Sequence, residues 1–314
     1  MIRVSAGSRL HFGLLHVPTV GEAAGLRHFG GLGMMIQQPG IVLTVESAAA
    51  WSAVGPSADR AMRVAKQVVD QLPIDIRQPL EIVVEGCPPE HVGLGVGTQL
   101  SLAVADATCQ LLCGDARPSD ELAKLAGRGE RSRIGIEGYA CGGFFLDGGQ
   151  NPERLGSSAI LHRCSFPDAW RILLLRPRTA DLWHGDRERL AFARPRDPDA
   201  NLRTTERLCR LALLGVLPAL HEVDLPTFGA ALHEFNRTAG EAFTADQGGP
   251  YCGASVGALI GWLRSEGVAG TGQSSWGPTV FAMMDCQEAA EHLLDRATAA
   301  GWDFESVSIT PARV

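Results

Sequence analysis

The 314-residue sequence has no surplus of positive charge: 28 Lys and Arg stand against 35 Asp and Glu, a net charge of −7. That balance argues against nucleic acid or an anionic membrane as the main partner, and leaves room only for a local basic pocket suited to an anionic metabolite. No apolar run reaches the length of a membrane span. Arg3, Arg9 and His11 interrupt the first residues, so no signal-peptide core is read there and a cytoplasmic location is expected. The eight cysteines are scattered, with no Cys-x-x-Cys pair and no neighbouring His-x₃-His, so their spacing does not support a metal or disulfide framework. Cys109 and Cys113, four apart among Ala and Leu, read as core packing on a helix, and free thiols fit a reducing compartment. Internal repeats and low-complexity tracts are also missing. The glycine-rich stretches carry neither the Gly-Lys-Ser/Thr end of a Walker loop nor the Gly-x-Gly-x-x-Gly of dinucleotide sites.

What is present is a glycine-rich turn fused to a helix start, Gly93-Leu94-Gly95-Val96-Gly97-Thr98-Gln99. A β-type run, Leu80–Glu85, precedes it, and a run at helical spacing follows from Leu100 to Cys113 and stops at Gly114. Glycine permits close backbone approach, and the first turn of a helix offers unpaired N–H groups and a positive dipole end. The combination is a cradle for phosphate or pyrophosphate; the alternative is a Gly-rich turn that merely packs on its helix.

The rest of the chain divides into two halves, each mixing strands and helices without a steady βαβ rhythm, so an α+β fold of two domains is expected, 1–165 and 166–314. In the first half, strands are read around Ile2–Ser5 and Ile41–Glu46, with helices over Ala58–Leu72 and Ser119–Ala126. In the second, Arg171–Leu175 reads as a buried strand and Pro177–Asp199 as irregular. Helices are read near Ala200–Leu217, Leu225–Glu241 and Ser255–Glu266. A Gly-rich loop, Gly267–Pro278, then precedes a strand at Thr279–Met284. Asp285 and Glu288 form a capping box for a helix to about Ala300, and Glu305–Thr310 closes the chain as a strand.

Three segments together resemble the motifs of the GHMP kinase superfamily: Ser5–Leu14 the first, Pro88–Gln99 the second, with its phosphate loop, and Gly270–Pro278 the third. Ser8–Leu14, Gly97–Leu100, Gly127–Ser132, Gly142–Phe144 with Asp147-Gly148-Gly149, and Ser274–Thr279 are similar to one branch of it, the β-ribofuranosylaminobenzene 5′-phosphate synthases of methanopterin biosynthesis. The resemblance implies a GHMP-type α+β fold and a homodimer. It further implies a reaction joining 5-phosphoribosyl-1-pyrophosphate to 4-aminobenzoate, with loss of CO₂ and pyrophosphate; for that chemistry Mg²⁺ is the cofactor expected to stabilise the leaving pyrophosphate. The family's kinases usually carry a Ser-Ser pair where Val96-Gly97 stands, and an Asp where Ser132-Arg133-Ile134 stands; both departures weigh against a kinase. Val96, Arg133 and Ala140 also depart from the synthase pattern.

Candidate roles follow from residue type and place. Gly93, Gly95, Gly97, Thr98 and Gln99 are read as phosphate or pyrophosphate contacts. Arg128 and Arg131, three apart, join them if they share a helical face; otherwise they cap a solvated helix end. Arg9, His11 and Asp147 are the catalytic candidates, the alternatives being a solvated cation, a core histidine and an Asp-Gly turn. Thr98 and Asp147 are candidate metal ligands. Arg27, Ser274, Ser275 and Trp276 are candidate substrate contacts, with Trp276 alternatively core. His184 and Glu188, four apart, are a metal pair only if that stretch is helical. An ATP-dependent small-molecule kinase and a catalytically silent binding protein remain the competing functions.

Overall fold

The computed structural model describes residues 1–19, 27–129, 132–153, 158–178 and 186–313. The first half contains strands β1 (Ile2–His16), β2 (Phe29–Ser47) and β3 (Ser52–Val54), helix α1 (Ala58–Val69), β4 (Leu80–Gly86), helices α2 (Val96–Cys113), α3 (Ser119–Leu125) and α4 (Ile134–Cys141), then β5 (Phe144–Gln150) and β6 (Ser158–Cys164). Its sheet has the order β3-β4-β2-β5-β6, with β1 also paired to β2. The second half runs β7 (Arg171–Pro177), α5 (Asp186–Ala193), α6 (Pro198–Leu211), α7 (Leu217–His221), α8 (Leu225–Glu241), α9 (Thr244–Gln247), α10 (Gly253–Ser265), β8 (Thr271–Gln273), β9 (Val280–Met284), α11 (Gln287–Ala299) and β10 (Phe304–Thr310). Its sheet is β10-β7-β9-β8. The α+β class is the one expected from the sequence.

The long antiparallel β1–β2 ladder positions the site. It pairs Arg9 with Met35 and His11 with Gly33, with register shifts between Ala6 and Ser8 and between His11 and Gly13. Both strands are longer than the sequence suggests. The segment Gly7–Gly13, beyond the strand read at Ile2–Ser5, lies within β1, and Gly30–Gly33 lies within β2. Glycine does not break the ladder here because close approach requires it: a Cβ on Gly31 would stand 2.2 Å from the Gly13 carbonyl oxygen. Helix α2 is apolar nearly all round, with Leu100, Leu102, Ala103, Val104 and Ala105 all buried, and it packs on β1, β2 and α1.

One core joins the first sheet, α1 and α2 to Phe228, Leu232 and Phe235 of α8 and Phe281 of β9. Phe12 sits within it, stacked on Phe144 at 5.8 Å and edge-on to Phe281 at 5.0 Å. A second core fills the space between β7, β9, α10 and α11. The two sheets fall on either side of residue 165, whereas the first core crosses that line. The C-terminal residues cross it too: the Arg313 N–H donates to the Met35 carbonyl at 2.9 Å, and the Gly143 N–H to the Arg313 carbonyl at 2.7 Å.

Other elements differ from the sequence reading. The stretch 177–199 contains a helix, α5, and α4, β6 and β8 were not anticipated. The helix expected over 200–217 is present and runs without interruption from Pro198 to His221, and Pro218, which has no N–H for the carbonyl four residues back, lies near its end. A π-type turn, Ala212–Val216, joins α6 to α7 within it and accommodates the missing N–H of Pro218. The capping box at Asp285 does not form: α11 starts at Gln287, with Cys286 at the cap and no side-chain cap bond. Cys109 is buried, as core packing requires.

Candidate active site

A cavity of about 530 Å³ opens where β1, the start of α2, α5, α8 and the loop after β8 meet. Gly95 caps α2 in the left-handed conformation (φ 66°), and Val96 is the first helical residue. The Thr98 and Gln99 N–H groups already donate to the Gly95 carbonyl, at 3.1 and 3.2 Å. The first turn therefore offers an anion the N–H groups of Val96 and Gly97, a narrower cradle than the Gly95–Gln99 stretch as a whole. Gly97 and Thr98 line the cavity. The Val96 side chain is buried in the core, so its departure from the family pattern supplies packing.

The other two motifs hold this loop in place. The Arg9 N–H donates to the Leu94 carbonyl at 2.9 Å. Ser274 Oγ donates to the Gly93 carbonyl at 2.7 Å and accepts the His11 N–H at 3.1 Å. Thr279 Oγ1 donates to the Val92 carbonyl at 2.6 Å. Gly93 accepts this clamp because it has no side chain: a Cβ there would lie 2.3 Å from the Ser274 carbonyl oxygen. On the far side, Asn236 of α8 donates to the carbonyls of Phe12 (2.7 Å) and Gln273 (2.8 Å) and accepts the Gln273 N–H (2.9 Å). Ser274 is thus a rivet between motifs, and Ser275, Trp276 and Gly277 of that loop line the cavity.

Arg9 lies across Gly95, whose absent Cβ leaves room for the guanidinium. Its Nε is buried and has no hydrogen-bond partner among the described residues. Burial lowers its pKa to about 10, against the pull of Glu188 and Asp147, so it remains a cation at neutral pH. His11, buried beside it, is pushed down to about 3 by desolvation and by the Arg9 charge. It is a neutral imidazole at neutral pH, able to hydrogen-bond but not to bind an anion as a cation. Arg128 also lines the cavity and donates from Nε and Nη2 to Ser101 Oγ, at 3.2 and 3.0 Å. Arg60 and Glu90 form a bidentate pair at the rim, at 2.7 and 2.5 Å, which holds the Glu90 carboxyl below its ordinary range. An aromatic wall completes the space: Trp276 stands edge-on to Phe243 at 4.6 Å and to Phe192 at 5.6 Å.

Not every expected residue reaches the cavity. Asp147 lies fully buried on β5 and does not line it. Its Oδ2 accepts from Ser132 Oγ (3.1 Å) and the Arg133 N–H (2.8 Å), and its Oδ1 from the Gly149 N–H and Ser158 Oγ (both 2.9 Å). With both oxygens so committed it anchors the loop that carries Ser132, and neither a base nor a metal ligand is built there. Gln99 is also buried, donating to the Gly135 carbonyl at 2.6 Å. Arg27 Nε is turned to the Gly149 carbonyl at 2.9 Å, outside the lining. Arg131 and His184 lie outside the described residues, while Glu188 is helical on α5 and faces the cavity. In the Ser132-Arg133-Ile134 stretch, the Arg133 guanidinium turns away to Asp120 and Glu137. Sequence reasoning missed Asn236, Phe243 and the Arg60–Glu90 pair, whose roles depend on distant partners.

For Mg²⁺, the carboxylates among the described lining residues are Glu90 and Glu188, and Glu90 is taken by Arg60. Glu188 and the Thr98 hydroxyl both line the cavity as hard oxygen donors, a sparse set of the kind that holds Mg²⁺ together with substrate phosphates. The residues present fit that ion with Glu188 in the place given by sequence to Asp147.

Residues 59–144 match the family model for the GHMP kinases N terminal domain, and residues 216–301 match that for the GHMP kinases C terminal, together more than half of the chain. The chain is 29% identical to a beta-ribofuranosylphenol 5′-phosphate synthase of Methanothermobacter thermautotrophicus, over 90% of this chain and 88% of that one. A synthase of the same name from Archaeoglobus fulgidus is 28% identical over 100% and 97%. Among solved structures, the L. major mevalonate kinase in complex with R-mevalonate superposes with a TM-score of 0.74 at 13% identity, covering 100% of this chain and 96% of that one. That last likeness concerns the fold alone.

Proposed function

The chain belongs to the GHMP kinase superfamily, and we propose that within it the chain is a decarboxylating phosphoribosyltransferase. It joins 5-phosphoribosyl-1-pyrophosphate to 4-aminobenzoate, giving β-ribofuranosylaminobenzene 5′-phosphate, CO₂ and pyrophosphate. The observation that carries this reading is the convergence, in one cavity, of the α2 amides, Arg9 and Arg128 with the Trp276–Phe243–Phe192 wall.

The chemistry asks for such a site. The para amine pushes electron density to the ring carbon that bears the carboxylate. That carbon bonds to the anomeric carbon as the bond to pyrophosphate breaks. The bond to the carboxylate then breaks, and its electron pair restores aromaticity as CO₂ leaves. No proton is removed in these steps, so the reaction needs anion binding and a flat apolar wall more than a general base. A neutral His11 and a structurally committed Asp147 fit that requirement. In this reading the Val96 and Gly97 amides, with Arg9 and Arg128, hold the phosphate groups, and the aromatic wall orients the arene. Mg²⁺ held by Glu188 and Thr98 would offset the charge gathering on pyrophosphate.

The relatives' name specifies a phenol, which differs from the aminobenzene product in the para donor alone; a hydroxyl can push electrons by the same route. The test is incubation with phosphoribosyl pyrophosphate, Mg²⁺ and either 4-aminobenzoate or 4-hydroxybenzoate, without ATP, with products read by mass. The aminobenzene riboside phosphate is the expected product. Riboside from the hydroxy acid alone would overturn the acceptor assignment, and ATP-dependent phosphorylation with no riboside would overturn the transferase reading.

A further inference from the structure

A second cluster of chemistry-bearing side chains lies outside the cavity. His162 and Cys164 stand two apart on β6, the edge strand of the first sheet, and so share one face of it. His221 ends α7 and brings its ring against them. The His162 and His221 Nε2 atoms are 3.0 Å apart, and one ring nitrogen of each histidine lies, with Cys164 Sγ, in a group whose atoms are all within 4.8 Å of one another. None of the three residues lines the cavity. Spacing along the chain hides this group, because His221 is 59 residues from His162.

We propose that His162, Cys164 and His221 form a Zn²⁺ site that staples the edge strand of the first half to α7 of the second. Two imidazoles and one thiolate are a borderline-soft donor set that suits zinc, with water completing a tetrahedron. Zn–N bonds of about 2.0–2.1 Å at a tetrahedral angle place two nitrogens roughly 3.3 Å apart, close to the separation already present. The thiol must approach by about 1.3 Å at most to reach a bond of about 2.3 Å. His221 is exposed and His162 and Cys164 are half-buried, so an ion has a path in and the rings can adjust. Binding forms one Zn–S and two Zn–N bonds and releases the Cys164 proton to solvent.

The test is calorimetric titration of the full chain with Zn²⁺ in two buffers of different ionisation enthalpy, and absorption spectroscopy with Co²⁺. The expected result is one equivalent of tight binding with release of about one proton per ion, weakened at least tenfold in both Cys164→Ser and His221→Ala. The Co²⁺ complex should show a thiolate charge-transfer band that Cys164→Ser abolishes. His221→Ala alters only an exposed ring and keeps the test decisive if the cysteine variant folds poorly. Unchanged affinity in His221→Ala, or a Co²⁺ complex without the thiolate band, would overturn the site.

Discussion

Arg9 is a cation held where a cation is costly, and replacing it should separate stability from activity. Burial lowers its pKa from the ordinary arginine range to about 10. A fall of that size corresponds to about 3 kcal/mol. Arg9 keeps partial access to the cavity, and solvent screening there reduces the figure to about 1–2 kcal/mol. The sign follows from linkage: the unfolded chain holds this proton more tightly, so the charged side chain destabilises the fold at every pH below about 10. Arg9→Met keeps a linear side chain, removes the charge and removes the orphaned Nε. The backbone bond from residue 9 to the Leu94 carbonyl survives. Melting temperature should therefore rise by about 2–4 °C. Over the same substitution kcat/KM for phosphoribosyl pyrophosphate should fall at least tenfold, about 1.4 kcal/mol of transition-state stabilisation. Differential scanning calorimetry and steady-state kinetics on one preparation read both quantities. A less stable variant with unchanged kinetics would show that Arg9 serves the fold, and the anion-site assignment would fail.

Three further substitutions probe the same account. His11 has a folded pKa of about 3 against about 6.5 in the unfolded chain. Its contribution is therefore complete above pH 6.5 and lost as pH falls toward 3; His11→Asn should flatten the acid limb of a stability–pH curve over that window and leave the neutral pH–rate profile without a new inflection. Gly97 is helical, and a Cβ there would meet only the Arg60 guanidinium, at 3.5 Å and beyond. Gly97→Val should accordingly fold normally yet weaken pyrophosphate binding at least tenfold in a titration; normal affinity would remove the amide cradle. Asp147→Asn presents an amide NH₂ to donors that now meet a carboxylate, which should cost about 2–4 kcal/mol in urea unfolding, and a neutral result would contradict the anchoring role.

Those residues also mark how far the sequence could be read. The cradle at Gly93–Thr98 was legible because its requirements are local: glycine at the turn and an apolar helix behind it. Arg9 and Trp276 were found through the motifs in which they sit. The strand character of Gly7–Gly13 was hidden because glycine usually argues against strand, and only the partner β2 shows why it is needed. Asp147 was misplaced because an Asp-Gly pair looks like a turn or a ligand until its four donors, from four different residues, are seen. Asn236 and the Arg60–Glu90 pair carried no signal, since the bonds from Asn236 to Phe12 span 224 residues. The zinc cluster escaped the cysteine reading for the same reason.

The central claim is that transfer and decarboxylation occur together in this cavity. The direct measurement is capture of labelled CO₂ from carboxyl-labelled 4-aminobenzoate, with pyrophosphate counted in the same reaction. The account predicts CO₂ and pyrophosphate in equal amounts, both strictly dependent on phosphoribosyl pyrophosphate and indifferent to ATP. Pyrophosphate without CO₂, or CO₂ without phosphoribosyl pyrophosphate, would contradict it.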